Sequence, residues 1–285
     1  MKLVSFTIPD SLAGQRLMTV IRRMAPNVAE YAIRDALHKR DVKLDHVRAD
    51  RNIPVFGGEL LQMYLPDTAL LAPPAIVYED EHLLVVNKPA GVSSDAQEGM
   101  SITQWMDTAY PNQFTGALLP CHRLDNPTSG LLMLAKDEAT RAAMEIAFRA
   151  HQIHKQYLCR VRGTPVPAHA VLDAFLIKDA AHATVTVLDN SARGALPIRT
   201  EYQVLEAGDT AKLRITLHTG RTHQIRAHLA HIGHPLLGDD KYGDRSWNKE
   251  QKTSRLMLAA TELSFNITGS LAYLNEVRLQ IPDPF

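Results

Sequence analysis

The sequence predicts an α+β protein in two parts, and three observations carry that prediction. Downstream of residue 75, strand patterns outnumber helical ones. They do not alternate with helices regularly, which disfavours a doubly wound parallel sheet. The first 70 residues have their own helix, helix, strand, strand order, ahead of a stretch with the adjacent prolines Pro73 and Pro74. No internal repeat or low-complexity tract interrupts either part.

In the N-terminal part, Leu17, Val20, Ile21 and Met24 mark one helix, and Ile33 and Leu37 mark a second, with Asn27 and Glu30 spaced as a capping arrangement. Short strands follow at Val42 to Leu44 and Leu60 to Leu65, separated by Gly57-Gly58. Leu70 to Pro74 reads as a linker. The boundaries expected from this are a module over residues 1–68, a linker over 69–75 and a main domain over 76–285.

Strand patterns in the main domain fall at Leu83 to Val86, Leu131 to Ala135, Tyr157 to Val161, Thr184 to Leu188, Arg199 to Leu205, Leu213 to His218 and Val277 to Ile281. Helical periodicity runs from Glu138 to Phe148 and from about Thr222 to Ile232, where Gly233 and Pro235 give the stop signal.

Composition bounds the function class. The 285 residues carry zero formal net charge and ordinary apolar content, enough for a sizeable core. No apolar run approaches transmembrane length, and the N-terminus lacks a signal-peptide profile, so a cytoplasmic protein with no membrane association is expected. Cys121 and Cys159 have no metal-type spacing and read as reduced, packed thiols. Charge is unevenly spread: between Arg141 and Gly163, five cations (Arg141, Arg149, Lys155, Arg160, Arg162) stand against Glu145 alone. Such a segment is expected to present a positive field.

Two stretches carry chemistry. In His122-Arg123-Leu124-Asp125-Asn126-Pro127-Thr128-Ser129-Gly130, turn residues bracket one carboxylate just before a buried strand. Asp125 is then a catalytic group on a rigidly held loop or an Asx side chain bonding turn amides, and local pattern does not separate the two. The second stretch, Gly220-Arg221-Thr222-His223-Gln224-Ile225-Arg226-Ala227-His228, is a tight turn leading into a helix rich in Arg and His, suited to an anionic ligand or side chain.

Together with Lys155-Gln156-Tyr157, His234-Pro235-Leu236-Leu237-Gly238-Asp239 and the opening run Leu84 to Gly91, these stretches resemble the RluA-type pseudouridine synthases, which isomerise uridine in RNA. The resemblance covers roughly residues 75 to 285 and rests on four motifs in order. It implies a mixed, mainly antiparallel sheet with the active cleft across it. It makes Asp125 the essential carboxylate, Arg226 its counter-ion and Tyr157 the ring that stacks on the target base. Arg123 would fill the gap left by a flipped nucleotide, and His122, Arg221, His223 and Lys155 would contact substrate. The reaction adds no external atom and has no redox step, so no cofactor and no metal are expected. RNA is the expected partner, ribosomal RNA ahead of transfer RNA, and a monomer is expected. The N-terminal order resembles an S-four-like RNA-binding domain, in which Arg34, His38, Lys39 and Arg40 would face RNA; Asp45-His46 replaces its usual Asn-Gly turn.

Two other classes bear on the same residues. His228, His231 and His234 could suggest a metal hydrolase, but helical zinc pairs use four-residue spacing on one face. An RNA-binding protein with a dead catalytic fold would have no use for Asp125, Tyr157 and Arg226 together.

Overall fold

The computed structural model describes residues 1–25, 27–66, 69–95, 101–253 and 255–285. The chain divides into two compact units, one of residues 1–75 with 91–117 and one of 76–90 with 118–285.

The first unit contains β1 (Lys2–Thr7), α1 (Leu17–Met24), α2 (Glu30–His38), β2 (Val42–Leu44), β3 (Val47–Ala49), β4 (Leu60–Leu65) and α3 (Ile102–Ala109). Its strands are ordered β1-β4-β2-β3, and Leu17, Val20, Ile21 and Ile33 pack in its core with Leu61 and Met63. Strand β1 lies at the edge of this sheet and half-buries Val4 and Phe6 against the core. The β2–β3 hairpin turns at Asp45 and His46, both left-handed at φ 45° and 68°, so Asp-His takes the conformation that favours Asn-Gly.

Helix α2 departs from the expected cap. Its N-cap is Ala29, with no side-chain bond. Val28 pairs with Leu70 in an isolated bridge instead: the Leu71 N–H donates to the Asn27 carbonyl at 2.6 Å and the Ala29 N–H to the Ala69 carbonyl at 2.9 Å. The Glu30 side chain lies outside the described residues. Helix α3 was missed although its signature is present, Ser101 and Gln104 forming a reciprocal capping box.

The second unit contains β5 (Ala75–Glu79), β6 (Leu83–Lys88), β7 (Leu119–Pro120), β8 (Ser129–Ala135), α4 (Glu138–Arg149), β9 (Ile153–Arg162), β10 (His169–Asp179), β11 (Thr184–Leu188), β12 (Leu196–Glu206), β13 (Thr210–Leu217), α5 (Gln224–His231), α6 (Arg245–Glu250), β14 (Leu258–Phe265) and β15 (Leu279–Gln280). Among the described residues they form an eleven-stranded sheet, ordered β11-β10-β12-β13-β9-β14-β8-β6-β5 with β15 on β14 and β7 on β8. Strand β14 runs parallel to β8, and its pairing with β9 is antiparallel. This is an α+β fold with a mixed, mainly antiparallel sheet, as the resemblance implied.

Two boundaries moved. The strand expected over Val277 to Ile281 shrinks to β15, which follows a 3-10 helix over Gly269–Glu276. Helix α5 begins at Gln224 because His223, its N-cap, is left-handed at φ 53°. One glycine decides where the sheet closes. Gly130, at φ 110°, faces Ala260 across the parallel pair, and a Cβ there would overlap the Ala260 backbone. Only glycine lets β8 and β14 approach this closely.

Candidate active site

The loop between β7 and β8 carries Asp125. Its turn is closed by the backbone, the Thr128 N–H donating to the Asp125 carbonyl at 2.9 Å. The carboxylate is turned the other way: Oδ2 lies 3.3 Å from Nη1 of Arg226 and 3.9 Å from Nε2 of His223. The Asp125 side chain therefore faces the Arg and His of the second stretch.

Arg226 comes from α5 and is 4 % exposed. Arg226 meets Asp125 as expected, and it has a second carboxylate partner as well. The stronger partner is Asp239, whose oxygens receive Nε and Nη2 of Arg226, both at 2.8 Å. A guanidinium offers one parallel fork along that edge, and Asp239 fills it, leaving Nη1 for Asp125. Asp239 is buried, which alone would raise its pKa; the bonds from Arg226 outweigh this and hold it below the ordinary carboxylate value. The same carboxylate accepts the backbone N–H groups of Lys241 and Tyr242 at 2.8 and 3.1 Å.

Tyr157 lies on β9 opposite Ile215 and Ala260, in the middle of the sheet. It lines the same cleft as Asp125, and burial, then the charge of Asp125, raises its pKa. Arg123, Lys155, Arg221 and His223 line this cleft too. Lys155 places Nζ 4.9 Å from the centre of the Phe148 ring, and burial lowers its pKa.

His122, expected among the substrate contacts, is not one of the lining residues. Its Nε2 accepts the Met133 N–H at 3.1 Å, and its ring packs 5.0 Å from that of Phe148. Burial first, then the Lys155 charge, pushes its pKa down to about 3. It extends the β7–β8 ladder behind the loop, because alternation along the chain turns it inward where Arg123 turns outward.

The positive field expected over residues 141–163 is also corrected. Arg141 pairs with Glu138 and Glu145, Arg149 with Glu145, Arg160 with Glu206 and Arg162 with Asp244. Glu138, Glu206 and Asp244 lie outside the window that was counted. Of the five cations only Lys155 lines the cleft. His228, His231 and His234 point three ways, to Thr200, Asp189 and the Arg162 carbonyl.

Three residues of the site received no role from sequence. Asp239 sits in a quoted motif, but its partner could not be read there. Gln224 uses every amide valence: Oε1 accepts from the Arg221 N–H and Thr219 hydroxyl at 3.0 and 2.9 Å, and Nε2 donates to the Arg199 carbonyl and Thr200 hydroxyl at 3.2 and 3.0 Å. It pins the Gly220 turn to β12. Lys88 is 0 % exposed, and its Nζ donates to the Pro89 and Asn126 carbonyls at 3.0 and 3.4 Å, tying the end of β6 to the residue after Asp125. Burial pulls its pKa down to about 7 against the attraction of Asp125.

A cleft over the middle of such a sheet, lined by Arg123, Lys155 and Arg221 around one carboxylate, suits an anionic substrate such as a nucleic acid. Comparison with known proteins narrows the class. Residues 82–231 match the RNA pseudouridylate synthase family. Ribosomal large subunit pseudouridine synthase C of Escherichia coli (strain K12) is 30 % identical over 94 % of this chain and 90 % of its own length. Ribosomal large subunit pseudouridine synthase D of Xylella fastidiosa is 32 % identical over 83 % of this chain and 74 % of its own length. Among solved structures, Human RNA Pseudouridylate Synthase Domain Containing 1 superposes with a TM-score of 0.62 at 28 % identity, over 74 % of this chain and 84 % of that one. The chain belongs to the RNA pseudouridylate synthase family, of the RluA type, and is an isomerase that converts uridine in RNA to pseudouridine. Among the described residues, no helix is long and apolar enough to cross a membrane.

Proposed function

We propose that this enzyme isomerises specific uridines of ribosomal RNA in the cytoplasm, as a monomer, by flipping the target base into the cleft and acting on it with Asp125. The single observation that carries the catalytic assignment is the orientation of the Asp125 carboxylate, aimed at Arg226 and away from its own turn. The ribosomal assignment rests on the relatives, two of which are named as ribosomal large subunit enzymes.

The reaction breaks the bond from ribose to base nitrogen, rotates the uracil and rejoins it through carbon 5. Every atom and electron of the product is already in the substrate, so the residues need only bind, orient and move a proton from carbon 5. A uridine in a stack is unreachable without extrusion, which costs a few kcal/mol. Stacking on Tyr157 returns about 1 to 3 kcal/mol of this. Arg123, exposed at the loop, suits the vacated position, while Lys155 and Arg221 suit the flanking phosphates and His223 the substrate side of Asp125. Arg226, neutralised by Asp239, holds the carboxylate in direction without adding net charge to the floor of the cleft.

We assign residues 1–68 to an S-four-like RNA-binding module, joined through 69–75 to the catalytic domain over 76–285. Arg34, Lys39 and Arg40 are exposed on and just after α2, Lys39 paired with Asp35 and Arg40 with Asp50. These pairs are consistent with weak RNA binding, since a phosphate must compete with each carboxylate.

Pseudouridine mapping across total RNA from cells with and without the protein tests the substrate, the expected result being loss of one or a few ribosomal positions. Loss confined to transfer RNA would overturn the ribosomal assignment. Asp125→Asn should reduce product to background while RNA binding persists, and full activity in that variant would remove Asp125 from the chemistry.

A further inference from the structure

The hydroxyl of Tyr242 has two partners among the described residues. The backbone N–H of Val185, on the edge strand β11, donates to it at 2.9 Å, and Nδ1 of His223 lies 2.8 Å away. An N–H group can only donate, so among the described residues the acceptor within reach of the hydroxyl proton is the Nδ1 lone pair. Burial raises the Tyr242 pKa, so the phenol keeps that proton. A neutral imidazole accepting at Nδ1 carries its own proton on Nε2. That N–H faces Oδ2 of Asp125, 3.9 Å away. The distance is too long for a hydrogen bond, and catalytic contacts commonly tighten when substrate closes the site.

Tyr242 is itself held from two sides. Its backbone N–H donates to Asp239, and its ring lies under the Arg226 guanidinium, 5.3 Å from the ring centre. Its ring meets His223 nearly edge-on, at 68° and 5.5 Å. One carboxylate, Asp239, thus fixes both the cation beside Asp125 and the tyrosine that reaches the histidine beside Asp125.

We infer that Tyr242 is a positioning residue, whose hydroxyl locks His223 in the neutral Nε2–H form and so gives Asp125 an uncharged donor on Oδ2 beside Arg226. This rests on the reading of Asp125 as the catalytic carboxylate. The opposite tautomer would turn a lone pair toward the carboxylate. An imidazolium would add a second full positive charge beside Arg226 and hold the carboxylate back from substrate. The groups facing His223 are Asp125, Asp239, Arg226, Lys241 and Tyr242; burial lowers its pKa, Asp125 opposes this, and Arg226 and Lys241 reinforce it.

The test uses the full chain. Nitrogen-15 spectra of the wild-type imidazoles at about pH 7.5 should show His223 neutral with its proton on Nε2; the other tautomer, or an imidazolium, overturns the inference without any variant having to fold. Tyr242→Phe keeps the ring but removes the donor that favours neutral His223, so the His223 midpoint should rise. The acid limb of kcat should rise with it by about one pH unit, the scale of one lost hydrogen bond, so that kcat on that limb is roughly tenfold lower at a given pH, with KM little changed. An unmoved acid limb in a folded Tyr242→Phe variant also overturns the positioning role. Failure of the Asp125 reading is separate: it shows as an active Asp125→Asn enzyme, whereas the wild-type spectra report the tautomer whatever Asp125 does.

Discussion

Arg226 serves two carboxylates with one guanidinium, Nε and Nη2 lying 2.8 Å from Asp239 and Nη1 3.3 Å from Asp125. The two acids are unequal. Asp239 is buried and gains a full fork, while Asp125 is partly exposed and gains a single longer contact. A carboxylate that is oriented but not fully engaged can still act on a substrate.

Arg226→Lys is therefore expected to lose far more than its charge conservation suggests. An ammonium cannot hold both acids in one plane, and kcat should fall about a hundredfold or more. Arg226→Leu should in addition destabilise the fold by about 3 to 5 kcal/mol, because it strands Asp239 as a buried charge. Single-turnover rates and urea midpoints measure the two effects separately; a near-normal rate in either variant would remove the ion-pair argument.

Tyr157→Phe and Tyr157→Ala should separate stacking from hydroxyl chemistry. Phenylalanine keeps the ring, so KM should stay close to wild type, and any loss falls on kcat. Alanine removes about 1 to 3 kcal/mol of stacking, which predicts roughly 5- to 150-fold weaker capture of substrate. Equal KM values for the two variants would show that the ring does not carry base binding.

Acid should destabilise the fold through His122 and His228. Burial is the main cause in both, pushing their pKa values down to about 3 and about 4. The unfolded chain takes up these protons first, near pH 6.5, so the contribution is complete above that pH and is lost as pH falls toward the folded values. Each group contributes a slope of roughly 1.4 kcal/mol per pH unit inside its window. His228→Asn should flatten the slope between about pH 6 and pH 5 by about half, read from urea midpoints at each pH. An unchanged slope would exclude His228 as a source of acid lability.

Gly130→Ala should be among the most damaging single-methyl additions in the chain. The new Cβ overlaps the Ala260 backbone, and φ 110° is strained for any residue with a side chain. A loss above about 3 kcal/mol is expected, with the Asp125 loop displaced as β8 leaves β14. A melting temperature within a few degrees of wild type would mean that the parallel pair relaxes more easily than its geometry implies.

Legibility in the sequence followed chain distance. The buried strand β8, the turn before it and the helix pattern of α4 are local patterns, and each was placed within a residue or two. The short edge strand β1 half-buries only Val4 and Phe6, an alternation of two residues that is too brief to mark a strand by itself. Asp125, Tyr157 and Arg226 were named from motifs, and the structure brings all three to one cleft. His122 was misplaced because motif membership does not say which way a side chain turns; its ring faces Met133 and Phe148. The charge surplus over residues 141–163 vanished for a related reason. Arg160 and Arg162 meet Glu206 and Asp244 only after β9 is in place, 46 and 82 residues away along the chain.

Fold class, family and the residue types the chemistry needs were legible in the chain, because periodicity, turn chemistry and motif spacing are properties of short segments. Which groups meet depends on the folded arrangement. Asp125 and Arg226 are 101 residues apart in the chain and 3.3 Å apart in the fold. The Gln224 clamp onto β12 follows from the same cause. Hydrogen bonds and ion pairs act over a few ångströms, and strand pairing across the sheet is what brings distant segments within that range.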